Sequence, residues 1–193
     1  MAAELRFDAE RHEYWLDGVL VPSITQMLKA TGWVDPAFYT EAARARGQKV
    51  HTLAMAHDLG SLDLHHVVQH RGYVLAYLEA MRAIRPTWDA IEEPAVHSGY
   101  PFAGTPDRVG TLFGAQGIAD IKTGAPEPAD AVQLALQAIL ISANGGLPPT
   151  SYLRANLYLK ASGRYTLVRH PHRRDFDHAY RVLDACCSKG GRR

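Results

Sequence analysis

The sequence predicts an α/β fold in which helices come first, a sheet follows, and a last helix packs on the sheet. Three observations carry that expectation. "PEPADAVQLALQAILISANGG" places Val132, Ala135, Leu136, Ile139 and Leu140 on one helical stripe. "SYLRANLYLK" alternates Leu153, Ala155, Leu157 and Leu159 against Tyr152, Arg154, Asn156 and Tyr158, the period of a half-buried strand. At the other end, Asp17-Gly18 sits between aromatic and aliphatic residues, the signature of a hairpin turn.

Taken in chain order, Ser23 or Thr25 is placed to cap a short helix through "QMLKAT" that Gly32 ends. "PAFYTEAARARGQKVHTLAMAHDL" reads as mostly helical, with Gly47 expected to break it or to join two helices. From about 63 to 84, Val74, Tyr77, Leu78 and Met81 have the spacing of a longer helix, which Pro86 ends. A strand is expected near "AIEEPAVH", a turn at "SGYP", and strand character from Phe102 through Val109. "TLFGAQ" supplies a turn before the strand "GIADIKT", and "RYTLVRH" pairs with the alternating strand across "ASG". A closing helix puts Phe176, Tyr180, Leu183 and Cys187 on one face. Neither repeats nor a linker divide residues 1–188, which read as a single domain; "KGGRR" at 189–193 reads as a disordered tail.

With 47% hydrophobic and 21% charged residues, the 193-residue chain has the make-up of an ordinary globular protein. It has no apolar run long enough to span a membrane, and its first residues lack a signal-peptide pattern, so a cytoplasmic setting is expected. Two adjacent cysteines, Cys186 and Cys187, exclude a disulfide framework and a four-thiolate iron–sulfur cluster. A net charge of +1 means that a polyanionic partner would have to meet locally segregated cations. "ARARGQK", with Arg44, Arg46 and Lys49, is one such place; "RHPHRRDFDH", with Arg169, Arg173 and Arg174, is another.

The chemistry concentrates in "GTPDRVGTLFGAQGIADIKTG", residues 104–124. Residues two apart in a strand share a face, so Asp120 and Lys122 point one way and Ala119 and Ile121 the other. The short connection can return Asp107 beside Asp120. Two converging carboxylates repel unless a cation lies between them, and hard oxygen ligands suit Mg²⁺ or Mn²⁺. An ammonium beside such an ion can orient water and face a phosphate, which describes a metal-assisted hydrolysis site. The competing reading is a structural ion pair of Asp107 or Asp120 with Lys122 or Arg108.

"GTPD" at 104–107, "DIKTG" at 120–124 and "QLALQA" from 133 stand in the order found in the RecB-like exonuclease branch of the PD-(D/E)XK nuclease superfamily, which this stretch resembles. "RGQKVH" at 46–51 resembles the branch's arginine–glycine helix start, with a metal-binding histidine five residues after the arginine, and "VPSIT" with the hairpin before it resembles the N-terminus of small phage-type members; the likeness runs from about residue 12 to 160. The resemblance implies a restriction-endonuclease-like core, a central mixed sheet flanked by helices with an N-terminal hairpin. It implies Asp107, Asp120, the backbone carbonyl of Ile121 and His51 as ligands of Mg²⁺ or Mn²⁺, with Lys122 positioning the nucleophile or stabilising charge. Gln133 would hold the DNA backbone or the lysine, and Glu93 would be a supporting or second-metal carboxylate, since only one of Glu92 and Glu93 can face the site. Arg44, Arg46 and Lys49 are expected at phosphates. Gln137 is expected at the DNA beside Gln133, at a position where the branch often carries tyrosine. Several relatives bind an iron–sulfur cluster through four cysteines, which this chain lacks.

The implied activity is a DNA exonuclease acting on single strands or duplex ends, in recombination, repair or phage DNA processing, with recombination or replication proteins as further partners. Alternatives are an endonuclease of the same fold and a non-cleaving DNA-binding module. No phosphate-binding loop of a helicase occurs. His66 and His70 stand at i, i+4 beside His65 but lack a third zinc ligand at a suitable spacing. Trp33, Tyr39, Tyr73 and Tyr100 form a pool of aromatics able to stack bases.

Overall fold

The computed structural model describes residues 4–187 apart from 36, 38, 39 and 98. Tyr39 and the tail at 189–193 therefore lie outside the described residues. The chain opens with β1 (Leu5–Asp8), β2 (Glu13–Leu16) and β3 (Val19–Val21), an antiparallel meander. Asp17 and Gly18 turn β2 into β3 with φ of 49° and 79°, the left-handed pair that a two-residue hairpin turn requires. Ser23, not Thr25, caps α1 (Ile24–Ala30): its Oγ accepts from Gln26 N–H at 3.1 Å, and Gln26 Oε1 accepts from Ser23 N–H at 2.8 Å.

Helix α2 (Glu41–Asp58) runs unbroken through Gly47, contrary to the expected junction. Packing outweighs propensity there, because α2 buries Val50, Leu53 and Ala54. The long helix expected from 63 is instead a 3₁₀ segment at Leu64–His70 followed by α3 (Arg71–Ile84), closed by Arg85 at φ 49°. Then come β4 (Thr87–Ile91), β5 (Ala95–His97), β6 (Phe102–Gly104), β7 (Arg108–Leu112) and β8 (Ala115–Lys122). Helix α4 (Pro128–Ala143), β9 (Leu153–Leu159), β10 (Tyr165–Arg169) and α5 (Arg174–Cys187) complete the chain.

The main sheet has the order β10-β9-β8-β7-β4 and is mixed: β8 and β9 are parallel, while the other pairs are antiparallel. Strands β5 and β6 leave it as a two-stranded ribbon. One face is covered by α1, α4 and α5, whose Met27, Leu136, Leu140 and Leu183 pack with Val109 and Ile118. The other is covered by α2 and α3, whose Val50, Tyr77 and Ala80 pack with Ala119, Ile121 and Leu157. The chain is thus an α/β protein with a mixed sheet between helical layers.

Two alternation readings need correction. Strand β9 is not half-buried: Arg154 (3% exposed), Asn156 (0%) and Tyr158 (2%) lie under the α4–α5 layer, each with a hydrogen-bonding partner. On α5 the inner face is Phe176, Ala179, Val182 and Leu183, and Tyr180 faces outward. Among the described residues no helix is long and apolar enough to cross a membrane.

Candidate metal centre

Strand β8 sends Ala119 and Ile121 into the α2–α3 core and turns Asp120 and Lys122 towards α4. Arg108 of β7 pairs with Ala119, which sets Asp107 beside Asp120 at the start of that strand. Ile121 N–H donates to Asp107 Oδ2 at 2.6 Å, tying the two segments together. Helix α2 brings His51 over the same point. Its Nδ1 lies 3.3 Å from Glu92 Oε1 and 3.6 Å from Asp107 Oδ1, and its Nε2 lies 2.9 Å from the Ile121 carbonyl oxygen.

Among the described residues, His51, Glu92 and Asp107 are the one group of three ligand-type side chains, with ligand atoms all within 4.8 Å of one another. Burial alone would lower the pKa of His51, but Asp107 and Glu92 outweigh it and raise it to about 9. Burial, with Asp120 and Glu92 beside it, raises Asp107 despite the attraction of His51. A cation among these carboxylates would relieve the repulsion that raises Asp107. Two carboxylates, a carbonyl and an imidazole form a donor set that fits Mg²⁺ or Mn²⁺.

Lys122 lies on the other side of Asp120. Its Nζ donates to Gln133 Oε1 at 2.9 Å and stands 2.9 Å from Asp120 Oδ2 and 3.6 Å from Asp130 Oδ1. Burial disfavours the ammonium, yet Asp120 and Asp130 outweigh that and raise its pKa, so it stays charged. Gln133 Nε2 donates to Asp120 Oδ1 at 2.8 Å, and Asn156 Nδ2 donates to Asp120 Oδ2 at 2.9 Å. Asp130 is fixed by the Glu127 N–H at 2.8 Å and the Tyr158 hydroxyl at 2.6 Å. Asp120 is therefore held by Lys122, Gln133 and Asn156 and stands outside the trio, although Oδ1 keeps a lone pair free of its bond to Gln133.

A cleft of about 280 Å³ joins the two clusters; Arg44 and Arg46 line it with His51, Asp107, Lys122 and Gln133. Lys49 is exposed on α2 and does not line the cleft. Gln137 is not presented to a nucleic acid strand as expected. It is 2% exposed, its Oε1 has no hydrogen-bond partner among the described residues, and it faces a chamber of about 40 Å³ shared with Tyr14, Thr105 and Gln133. Glu93 is not at the cluster either; it lines a separate cavity with Pro94 and Ile141.

Glu92 takes the position expected of Glu93. The pairing of β4 with β7 shifts between Trp88 and Ala90, a bulge that reverses which residues face which side, and Glu92 itself sits at φ 52°. Arg108, fully buried, then fixes it: Nη1 donates to Glu92 Oε1 at 3.2 Å and to the Asp107 carbonyl at 2.6 Å, while Nε donates to Asp58 Oδ2 at 2.6 Å. Arg108 therefore pairs with Asp58 and Glu92 rather than with the side chain of Asp107 or Asp120, and the role of Asn156 escaped the sequence reading, although polar residues recurring on one face of an apolar strand are a usable signal. His66 stands in the 3₁₀ segment, 3.6 Å from Asp63 and exposed. Trp33 packs on His178 with ring centroids 5.0 Å apart, and Tyr73 and Tyr100 pack against the cores.

No model of a known protein family matches the chain, and no curated protein matches it.

Proposed function

We propose that the chain is a divalent-metal-dependent nuclease of the PD-(D/E)XK type, with a restriction-endonuclease-like core, that hydrolyses phosphodiester bonds of DNA from an end. One observation carries this reading. Three consecutive residues of β8 serve two clusters: the Ile121 carbonyl meets His51 beside Asp107, and Asp120 and Lys122 form an ion pair braced by Gln133. His51, Asp107, the Ile121 carbonyl and Glu92 would hold Mg²⁺ or Mn²⁺, with Asp120 beside them held by Gln133, Lys122 and Asn156. When bound, the ion supplies a positive charge that polarises the scissile phosphate and favours ionised water.

The protein's own groups account for the rest. Lys122, kept cationic by two carboxylates, holds the attacking water by hydrogen bond and offsets charge developing on the phosphate oxygens. The water oxygen bonds to phosphorus as the bridging P–O bond breaks, giving a phosphate monoester and a free hydroxyl. Gln133 fixes both Lys122 and Asp120, so the two clusters keep one geometry. Arg44 and Arg46 at the rim of the cleft neutralise flanking phosphates, contacts that position a strand without reading its sequence.

End-labelled linear and closed circular single-stranded DNA, incubated with Mn²⁺ or Mg²⁺, test the reading. Loss of linear DNA alone, stopped by EDTA, is expected. Cutting of circles would replace the exonuclease with an endonuclease, and binding without hydrolysis under any metal would leave a DNA-binding module.

A further inference from the structure

A second concentration of positive charge lies outside the cleft. The start of β9, the turn after β10 and the first residues of α5 enclose a cavity of about 360 Å³ lined by Arg154, Arg169, His170, Arg173 and Phe176, and no carboxylate lines it among the described residues. Arg154 is its buried floor. It is 3% exposed and donates to Asp175 Oδ2 at 2.9 Å and to the His172 carbonyl at 3.0 Å, and its guanidinium lies 4.4 Å from the centre of the Phe176 ring. These bonds hold the 169–173 turn in one shape. Arg169 and Arg173, both exposed at the cavity, form no ion pair among the described residues, and the Arg169 guanidinium stacks on the Phe113 ring 4.2 Å from its centre, which leaves its N–H edge open.

The cavity is wired to the candidate metal centre. His170 Nε2 lies 2.7 Å from Asn156 Oδ1, and Asn156 Nδ2 lies 2.9 Å from Asp120 Oδ2. Asp120 of β8 pairs with Asn156 of β9, and His170 follows the last residue of β10, its N–H donating to the Arg154 carbonyl at 2.8 Å.

We propose that this cavity is a second phosphate subsite that takes a phosphodiester of the bound nucleic acid strand, with Arg169 and Arg173 as its donors. The choice of a nucleic acid as the source of the phosphate rests on the nuclease reading. Guanidinium groups match phosphate with paired donors, and they are weakly hydrated, so they suit a partly enclosed anion site.

The test is binding of a fluorescent oligodeoxythymidylate in EDTA, where no hydrolysis occurs, over a range of salt concentrations, with inorganic phosphate as a separate competitor. Arg169→Ala with Arg173→Ala should weaken binding about tenfold at low salt and reduce the salt slope by about 0.7, the share of one phosphate on a single strand. Lys29→Ala with Arg82→Ala, which removes two exposed cations elsewhere, should change the slope far less. An unchanged affinity and slope in the arginine variant, with its melting temperature preserved, would overturn the subsite. Competition by inorganic phosphate as strong as that by the oligonucleotide would assign the cavity to free phosphate and overturn the strand assignment. Arginine-dependent binding by a protein that hydrolyses no DNA would sink the nuclease reading and leave the subsite standing.

Discussion

At the scale of single residues, the account depends on which acid meets His51. Glu92 touches the imidazole and is braced by Arg108, whereas Glu93 faces another cavity. Glu92→Gln should weaken Mn²⁺ binding at least tenfold by calorimetry. Glu93→Gln should leave it unchanged, and equal losses would mean that the bulge in β4 has been misjudged. His51 gives a second prediction. Its pKa is raised from 6.5 to about 9, so in the metal-free protein its stabilisation is complete below pH 6.5 and is lost as pH rises through about 9. Melting temperatures of metal-free protein should fall across that window, and His51→Gln should flatten the fall. Added Mn²⁺ should stabilise more at the alkaline end, where it no longer competes with the proton. A fall of the same size in His51→Gln would place the titrating group elsewhere.

At the scale of elements, the strong signals were those in which one local rule decided the outcome. The Asp17-Gly18 turn, the Ser23 cap, the stripe of α4 and the opposed faces of β8 all follow from short-range sequence. Rules of local parity failed where tertiary packing changed the count. Beyond the end of β4 a left-handed Glu92, at φ 52°, meets His51 in place of Glu93, and a second helical layer over β9 buried a polar face that alternation assigns to solvent. Gly47 marks the same limit. Its φ is ordinary for a helix, and a Cβ there would meet Thr123 Oγ1 at 3.9 Å, an ordinary contact. Gly47→Ala should therefore stabilise the protein by about 0.5–1 kcal/mol. Gly110→Ala should do the opposite, costing roughly 1–3 kcal/mol, because its Cβ would collide with the Thr87 backbone at the bulge. Denaturant midpoints decide both, and matching shifts of the two variants would contradict the packing described.

Across the whole molecule, a mixed sheet carries the His51, Glu92 and Asp107 trio and the half-buried Lys122 ammonium on two sides of one carboxylate, Asp120. The resemblance carried by "GTPD", "DIKTG" and Gln133 singled out Asp107, Asp120, Lys122 and Gln133, which the fold brings together, and left Glu92 to be found in the structure. The partners of Arg108, which are Asp58 and Glu92, and those of Asn156 were not legible, since they depend on which segments become neighbours. The division of labour gives the most direct test: Mn²⁺ binding and digestion of end-labelled single-stranded DNA, measured together for the wild type, Asp107→Asn and Lys122→Ala. The account predicts that the wild type binds Mn²⁺ and digests DNA, that Asp107→Asn loses both, and that Lys122→Ala keeps the metal but loses hydrolysis by a factor of at least about 100. Hydrolysis that survives in Lys122→Ala, or a wild type that binds Mn²⁺ and leaves every DNA intact, would contradict it.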